Sequence, residues 1–236
     1  MNTTYSLIIK ISIIAASLIG SSISYAQFDN VRWSRDKSNS PRQDKSGSGN
    51  TPSTSGATNN QGEYTFRIST SNSSSTQRQE WRFEDRSGYM HMTTEFKIDS
   101  GDDNFDKISI AQNHDKQTGS VGVFSIYQVR QSGNNLIFGV QGDTASSGVS
   151  NGYSTFSTEN IDFDEWYRLR IRSFVDEDDA IEVAELYDSS NRLLWTETIE
   201  DGGDDQGYYK IGAYRLTGGK GPVTVHFRNT RFWTGK

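Results

Sequence analysis

The sequence predicts an all-β fold, an antiparallel β-sandwich or jelly roll. Three observations point there. From Glu63 onward the chain runs in short segments that alternate apolar and polar residues. Gly, Asn, Asp and Ser interrupt these segments at short spacing, and no stretch keeps a sustained 3.6-residue period.

Taken in order, the alternation predicts strands over Tyr64–Ser69, Gln79–Glu84, Tyr89–Ile98, Lys107–Asn113, Val121–Arg130 and Leu136–Gln141. It continues with Trp166–Phe174, Ile181–Tyr187, Leu193–Glu200, Tyr208–Arg215 and Val223–Trp233. Ser132-Gly133-Asn134-Asn135 and Asp188-Ser189-Ser190-Asn191 separate consecutive strands with turn-forming residues, as antiparallel hairpins require. Gly142–Thr158, rich in Gly and Ser, reads as a long loop that forms a lid or rim. Asp162-Phe163-Asp164-Glu165, ahead of Trp166, reads as a turn.

The residues before Glu63 have a different character. Lys10 precedes the apolar run Ile11–Ile19, and Ser24-Tyr25-Ala26 offers small residues where a signal peptidase cuts. Residues 1–26 are therefore expected to be a signal peptide, since the run is too short for a permanent span. Residues 27–62 read as a flexible linker, because Ser, Asn, Thr, Gly and Gln bury too little surface to offset ordering entropy. Within it, Phe28-Asp29-Asn30-Val31-Arg32-Trp33 either docks on the domain or stays free. Residues 63–236 form the domain, long enough to build a core. The expected product is exported, soluble and monomeric, with no membrane partner.

The chain of 236 residues has no cysteine, which removes disulfides, thiolate metal sites and cysteine nucleophiles. Its formal charge of −6 becomes −7 once the single positive charge of Lys10 leaves with the signal, which argues against nucleic acid as a partner. A locally basic groove for a polyanion remains compatible with that balance.

Three strands carry the chemistry. In Gly207–Arg215, an extended chain puts Tyr208, Lys210, Gly212 and Tyr214 on one face and Tyr209, Ile211 and Ala213 on the other. In Gln77–Glu84, Gln79, Trp81 and Phe83 oppose Arg78, Glu80, Arg82 and Glu84. In Ile108–His114, alternation groups Ile108, Ile110, Gln112 and His114, so an amide and an imidazole stand two residues apart.

In this order the segments resemble the motifs of polysaccharide lyase family 7, the alginate lyases with a concanavalin-like jelly roll. That family carries Arg-x-Glu, Gln-x-His and Tyr-Phe-Lys-Ala-Gly-Val-Tyr. The matching residues are Arg78-Gln79-Glu80, Gln112-Asn113-His114 and Tyr208–Tyr214, and the resemblance extends from about Glu63 to the end. It implies β-elimination on a polyuronate, alginate first, with no metal or organic cofactor. Arg78 and Gln112 would neutralise the uronate carboxylate, while His114 and Tyr214 would move protons, Tyr214 serving the leaving oxygen. Which of the two abstracts the C5 proton stays open. Glu80 would orient Arg78, and Arg82, Lys210, Tyr208 and Arg130 would hold substrate.

The chain departs from the family in places. Asn113 replaces the usual Ile or Val, Trp81 the usual Leu or Val, and Arg215-Leu216 the usual Asn-Gln. These changes leave open a neighbouring uronan lyase, acting for example on glucuronan, in which His91 is a rival base. His226 reads as structural. A retaining glycosidase is disfavoured, because no compact Glu-x-Asp-x-x-Glu strand is present. A non-catalytic carbohydrate-binding module is the other reading. Arg168, Arg170 and Arg172 form a basic stripe that either holds a polyanion or pairs with the acidic Asp176–Asp179 run. Neither that run nor Gly101–Asp103 matches a calcium loop.

Overall fold

The computed structural model describes residues 27–38, 42–43, 62–68, 77–102, 105–115, 124–143, 153–175, 179–202, 206–215 and 221–236. The expected signal peptide and most of the expected linker lie outside them.

The strands are β1 (Trp33–Arg35), β2 (Arg42–Gln43), β3 (Tyr64–Ile68), β4 (Gln77–Arg82), β5 (Gly88–Ile98), β6 (Lys107–Asp115) and β7 (Ser125–Ser132). They continue with β8 (Asn135–Asp143), β9 (Tyr153–Ile161), β10 (Tyr167–Val175), β11 (Asp179–Tyr187), β12 (Leu193–Gly202), β13 (Gly207–Arg215) and β14 (Val223–Gly235). One sheet runs β1-β14-β5-β10-β11-β12, with β3 also paired to β14; the other runs β2-β4-β13-β6-β7-β8-β9. All of these pairings are antiparallel, and the two sheets stack as a jelly-roll sandwich.

The core follows from the alternation. Along β5, Met90, Met92, Phe96 and Ile98 point inward, and Leu169 and Ile171 of β10 lie beside them. Phe138 and Tyr127 meet them from the facing sheet, with Phe138 stacked on Phe96 at 5.9 Å. The two predicted hairpin turns are present. Gly133 and Asn191 take the positive φ values of 63° and 65° that such turns demand, and Asp188 Oδ1 accepts from Ser190 N and Arg192 N.

Three expectations need correction. Residues 153–161, placed by sequence mostly within a lid or rim loop, form strand β9 paired with β8. Ser, Thr, Glu and Asn make up most of its sequence, so its few apolar residues, the buried Ile161 among them, gave no readable alternation. Phe28–Trp33, left open above, docks: β1 pairs with β14, Phe28 is 2 % exposed, and Trp33 meets the edge of Tyr89 at 6.4 Å. The stretch read as linker therefore begins with a packed segment, held by aromatic burial that its polar surroundings obscured. The third correction concerns β6. Ile108 and Ile110 lie in the core, not beside Gln112 and His114, because the register slips between Ser109 and Ala111. That bulge reverses the phase and turns Ser109 outward.

Asn113 points between the sheets, where its Nδ2 donates to Glu182 Oε2 at 2.6 Å. Ser125 Oγ donates to Glu182 Oε1 at 2.6 Å, and the Tyr127 hydroxyl donates to the same oxygen. Glu182 is wholly enclosed, and burial pushes its carboxyl up to about 7, partly offset by these three donors. The residue that departs from the family pattern is thus tied to a buried carboxylate on the opposite sheet.

Candidate active site

β13 lies between β4 and β6, so the three motif strands are neighbours. Lys210 pairs with Arg82 on one side and Gln112 on the other; Tyr214 stands opposite Arg78, and Tyr208 opposite His114. Gly212 makes this closeness possible. Its φ is 146°, and a Cβ there would meet the Gln79 carbonyl and lie 2.7 Å from Glu80 Cα.

A cavity of about 290 Å³ opens on the outer face of these strands. Arg78, Gln112, His114, Lys210 and Tyr214 all line it, with Glu80 beside them. Polar contacts order the set. Gln112 Nε2 donates to Glu80 Oε1 at 3.0 Å, and Gln112 Oε1 lies 2.6 Å from His114 Nε2. A carboxylate only accepts, so the amide of Gln112 turns its nitrogen to Glu80 and its oxygen to His114. His114 Nε2 must then carry a proton, and the neutral imidazole keeps its lone pair on Nδ1.

Arg78 Nη1 is 4.0 Å from Glu80 Oε2, and its guanidinium lies 5.2 Å from the Tyr214 ring centroid. The Tyr214 phenol is held above its usual pKa. Burial raises it most, Arg78 pulls the other way, and Glu80 adds to the rise. At neutral pH this group is a proton donor.

Tyr208 and Arg82 stand behind the cavity. The Tyr208 ring stacks on His114 at 4.8 Å and 2°, and the Arg82 guanidinium covers Tyr208 at 4.1 Å while bonding Asp85 Oδ1 at 2.5 Å. They fix the plane of the imidazole. Arg130 is on the same sheet face but in an adjoining hollow of about 110 Å³ with Lys107. Gln128 and Gln141 line both spaces, so the two form one continuous surface.

Sequence reasoning missed Ser109, Ile126, Gln128 and Gln141 as lining residues. Gln128 shares the parity of Arg130, which was a usable signal. Ser109 had none, because only the bulge exposes it. His91, the rival base, is excluded by position. It faces outward on β5 of the other sheet, stacked on Trp233 at 4.5 Å. His226 contacts Asp99 at 2.9 Å and Glu63 at 3.1 Å, a structural role. Among the described residues, no group of His, Cys, Asp and Glu is arranged to hold a metal ion.

A jelly-roll sandwich with cations, an imidazole and a phenol gathered on one sheet face has the build of a polysaccharide lyase. The pattern of the alginate lyase family matches residues 30–232, and the chain belongs to that family. Among solved structures, it is similar to the alginate lyase from Klebsiella pneumoniae, with TM-score 0.54 and 10 % identity over 73 % of this chain and 81 % of that one. It is also similar to an alginate lyase from Chlorella virus, with TM-score 0.50 and 9 % identity over 83 % and 90 % of the two chains. At such identities the likeness concerns the fold. No curated protein matches the sequence.

Proposed function

We propose that this polysaccharide lyase is exported and cleaves a polyuronate, alginate, by β-elimination. The observation that carries the reading is the single cavity shared by Arg78, Gln112, His114, Lys210 and Tyr214. Arg78 and Lys210 face one carboxylate, Glu80, so the cavity is positive in a chain of net charge −6. Lys107 and Arg130 extend the positive strip into the adjoining hollow, as a chain carrying one carboxylate per sugar requires. Signal-like residues 1–26 support export.

In the reaction, Arg78 and an N–H of Gln112 hold the uronate carboxylate and stabilise charge that develops as the C5 proton leaves. His114 takes that proton at Nδ1. The C5–H electron pair forms the C4–C5 double bond, the C4–O bond breaks, and the leaving oxygen accepts the Tyr214 proton. The products are a new reducing-side hydroxyl and an unsaturated uronate end.

Ultraviolet absorbance of the unsaturated product tests this on alginate, polymannuronate, polyguluronate and glucuronan, beside Tyr214→Phe. A rise on a mannuronate- or guluronate-containing polymer that the variant loses is the expected result. No rise on any polymer refutes the elimination. A rise on glucuronan alone refutes alginate as the substrate, and activity that survives Tyr214→Phe refutes Tyr214 as the donor.

A further inference from the structure

The face of the sandwich opposite the cavity has its own organisation. Three rows cross β14, β5 and β10 there: Trp233, His91 and Arg172; then Arg231, Thr93 and Arg170; then Arg228, Glu95 and Arg168. A hollow of about 430 Å³ opens among His91, Thr93, Arg168, Arg170, Arg231 and Trp233.

A bulge builds this hollow. Between Arg228 and Arg231 the register with β5 slips, and Asn229 takes a φ of 54°. Arg228 faces outward to Glu95, so plain alternation would send Thr230 outward and Arg231 and Trp233 inward. The extra residue reverses that. Thr230 bonds the buried Thr94 at 2.7 Å and Phe232 enters the core, which leaves Arg231 exposed and Trp233 half-exposed.

The charges are unevenly matched. Glu185 holds Arg170 and lies 3.4 Å from Arg172, while Glu95 holds Arg228 at 2.6 Å. The two other arginines have no carboxylate among the described residues. Arg168 bonds Asn191 Oδ1 at 2.6 Å and covers Tyr187 at 4.4 Å, and Arg231 is exposed, with no ion pair among the described residues. Their strands are two apart, a backbone spacing of about 10 Å. Thr93 and Glu95 of β5 lie between them, and the row beyond Arg231 is aromatic: Trp233 lies against His91, with Trp33 edge-on to His91 at 5.1 Å. Burial, with Arg170 and then Arg172 adding to it, lowers the His91 pKa to about 3, so the imidazole is a neutral platform.

We infer that this hollow is a second, non-catalytic binding site for a uronate chain, with Arg168 and Arg231 holding carboxylates of non-adjacent sugars and Trp233 carrying a pyranose face. Planar guanidinium pairs carboxylate, and the indole offers the flat apolar surface that a sugar ring covers. Family membership supplies the polymer class. The elimination chemistry is not needed.

The test uses the full chain as Tyr214→Phe with nitrogen-labelled tryptophan, titrated with hexameric oligomannuronate and oligoguluronate. The Trp233 indole signal, assigned with Trp233→Phe, is expected to shift saturably with at least one oligomer. Adding Arg231→Glu, an exposed position outside the core, is expected to weaken that titration about threefold or more. An indole signal unmoved by either oligomer overturns the site, as does an affinity indifferent to Arg231→Glu. An equal shift with a sulfated, carboxylate-free galactan overturns the uronate assignment. Because binding is read from the Trp233 indole and not from product formation, failure of the elimination reading leaves this result interpretable.

Discussion

Glu182 is enclosed between the sheets, and replacing it with glutamine removes its ionisation while keeping its size. Its carboxyl rises from 4.5 to about 7 in the folded protein, chiefly through burial. The sign follows from linkage. Below 4.5 both states are protonated and the group costs nothing; between 4.5 and about 7 the unfolded chain ionises first, so stability falls as pH rises. Above that range the full penalty is present, roughly 3 kcal/mol at about 1.4 kcal/mol per decade. Urea unfolding of the wild type and Glu182→Gln at a series of pH values isolates this group, since other titrations cancel in the difference. The variant is expected to gain about 3 kcal/mol on the wild type between pH 4.5 and 8. Parallel curves would refute the raised carboxyl. A difference of opposite sign would mean that Asn113, Ser125 and Tyr127 hold the carboxylate ionised against burial.

Other outcomes follow from single residues. Gly212→Ala places a Cβ against the backbone of β4 and is expected to cost at least about 2 kcal/mol in thermal or urea unfolding, with loss of activity. Glu80→Ala frees the Gln112 amide to turn over and releases the His114 tautomer. The expected result is a kcat lower by roughly tenfold to a hundredfold, with a displaced pH profile and an unchanged melting temperature. Phe28→Ala empties a buried contact with Trp33 and Tyr89, and calorimetry should show a loss of about 3 kcal/mol.

Much of the fold was legible because eleven strands have an apolar face, and burial enforces alternation on them outside bulges such as those of β6 and β14. β9 escaped because its polar residues outnumber Tyr153, Phe156 and the buried Ile161, which do not recur at a period of two. The motif strands were legible for a different reason: Tyr208, Lys210 and Tyr214 keep one parity and Gly212 marks the close approach. Ser109 was not, since a bulge shifts phase without any residue type to announce it. The Arg168, Arg170 and Arg172 stripe was visible, but its partner was not. Glu185, from the next strand, takes two of the three, whereas most of the acidic run at 176–179 lies outside the described residues.

The pairing of Trp33 with Gly235 closes the longest loop in the domain, spanning nearly its whole length. Closing such a loop costs the most chain entropy, so this edge gains its contacts only after the strands between are assembled. β1 is three residues long and is held mainly by Phe28 and Trp33. The seam should therefore be the last part to form and the first to exchange its amide hydrogens, opening well below the free energy of global unfolding.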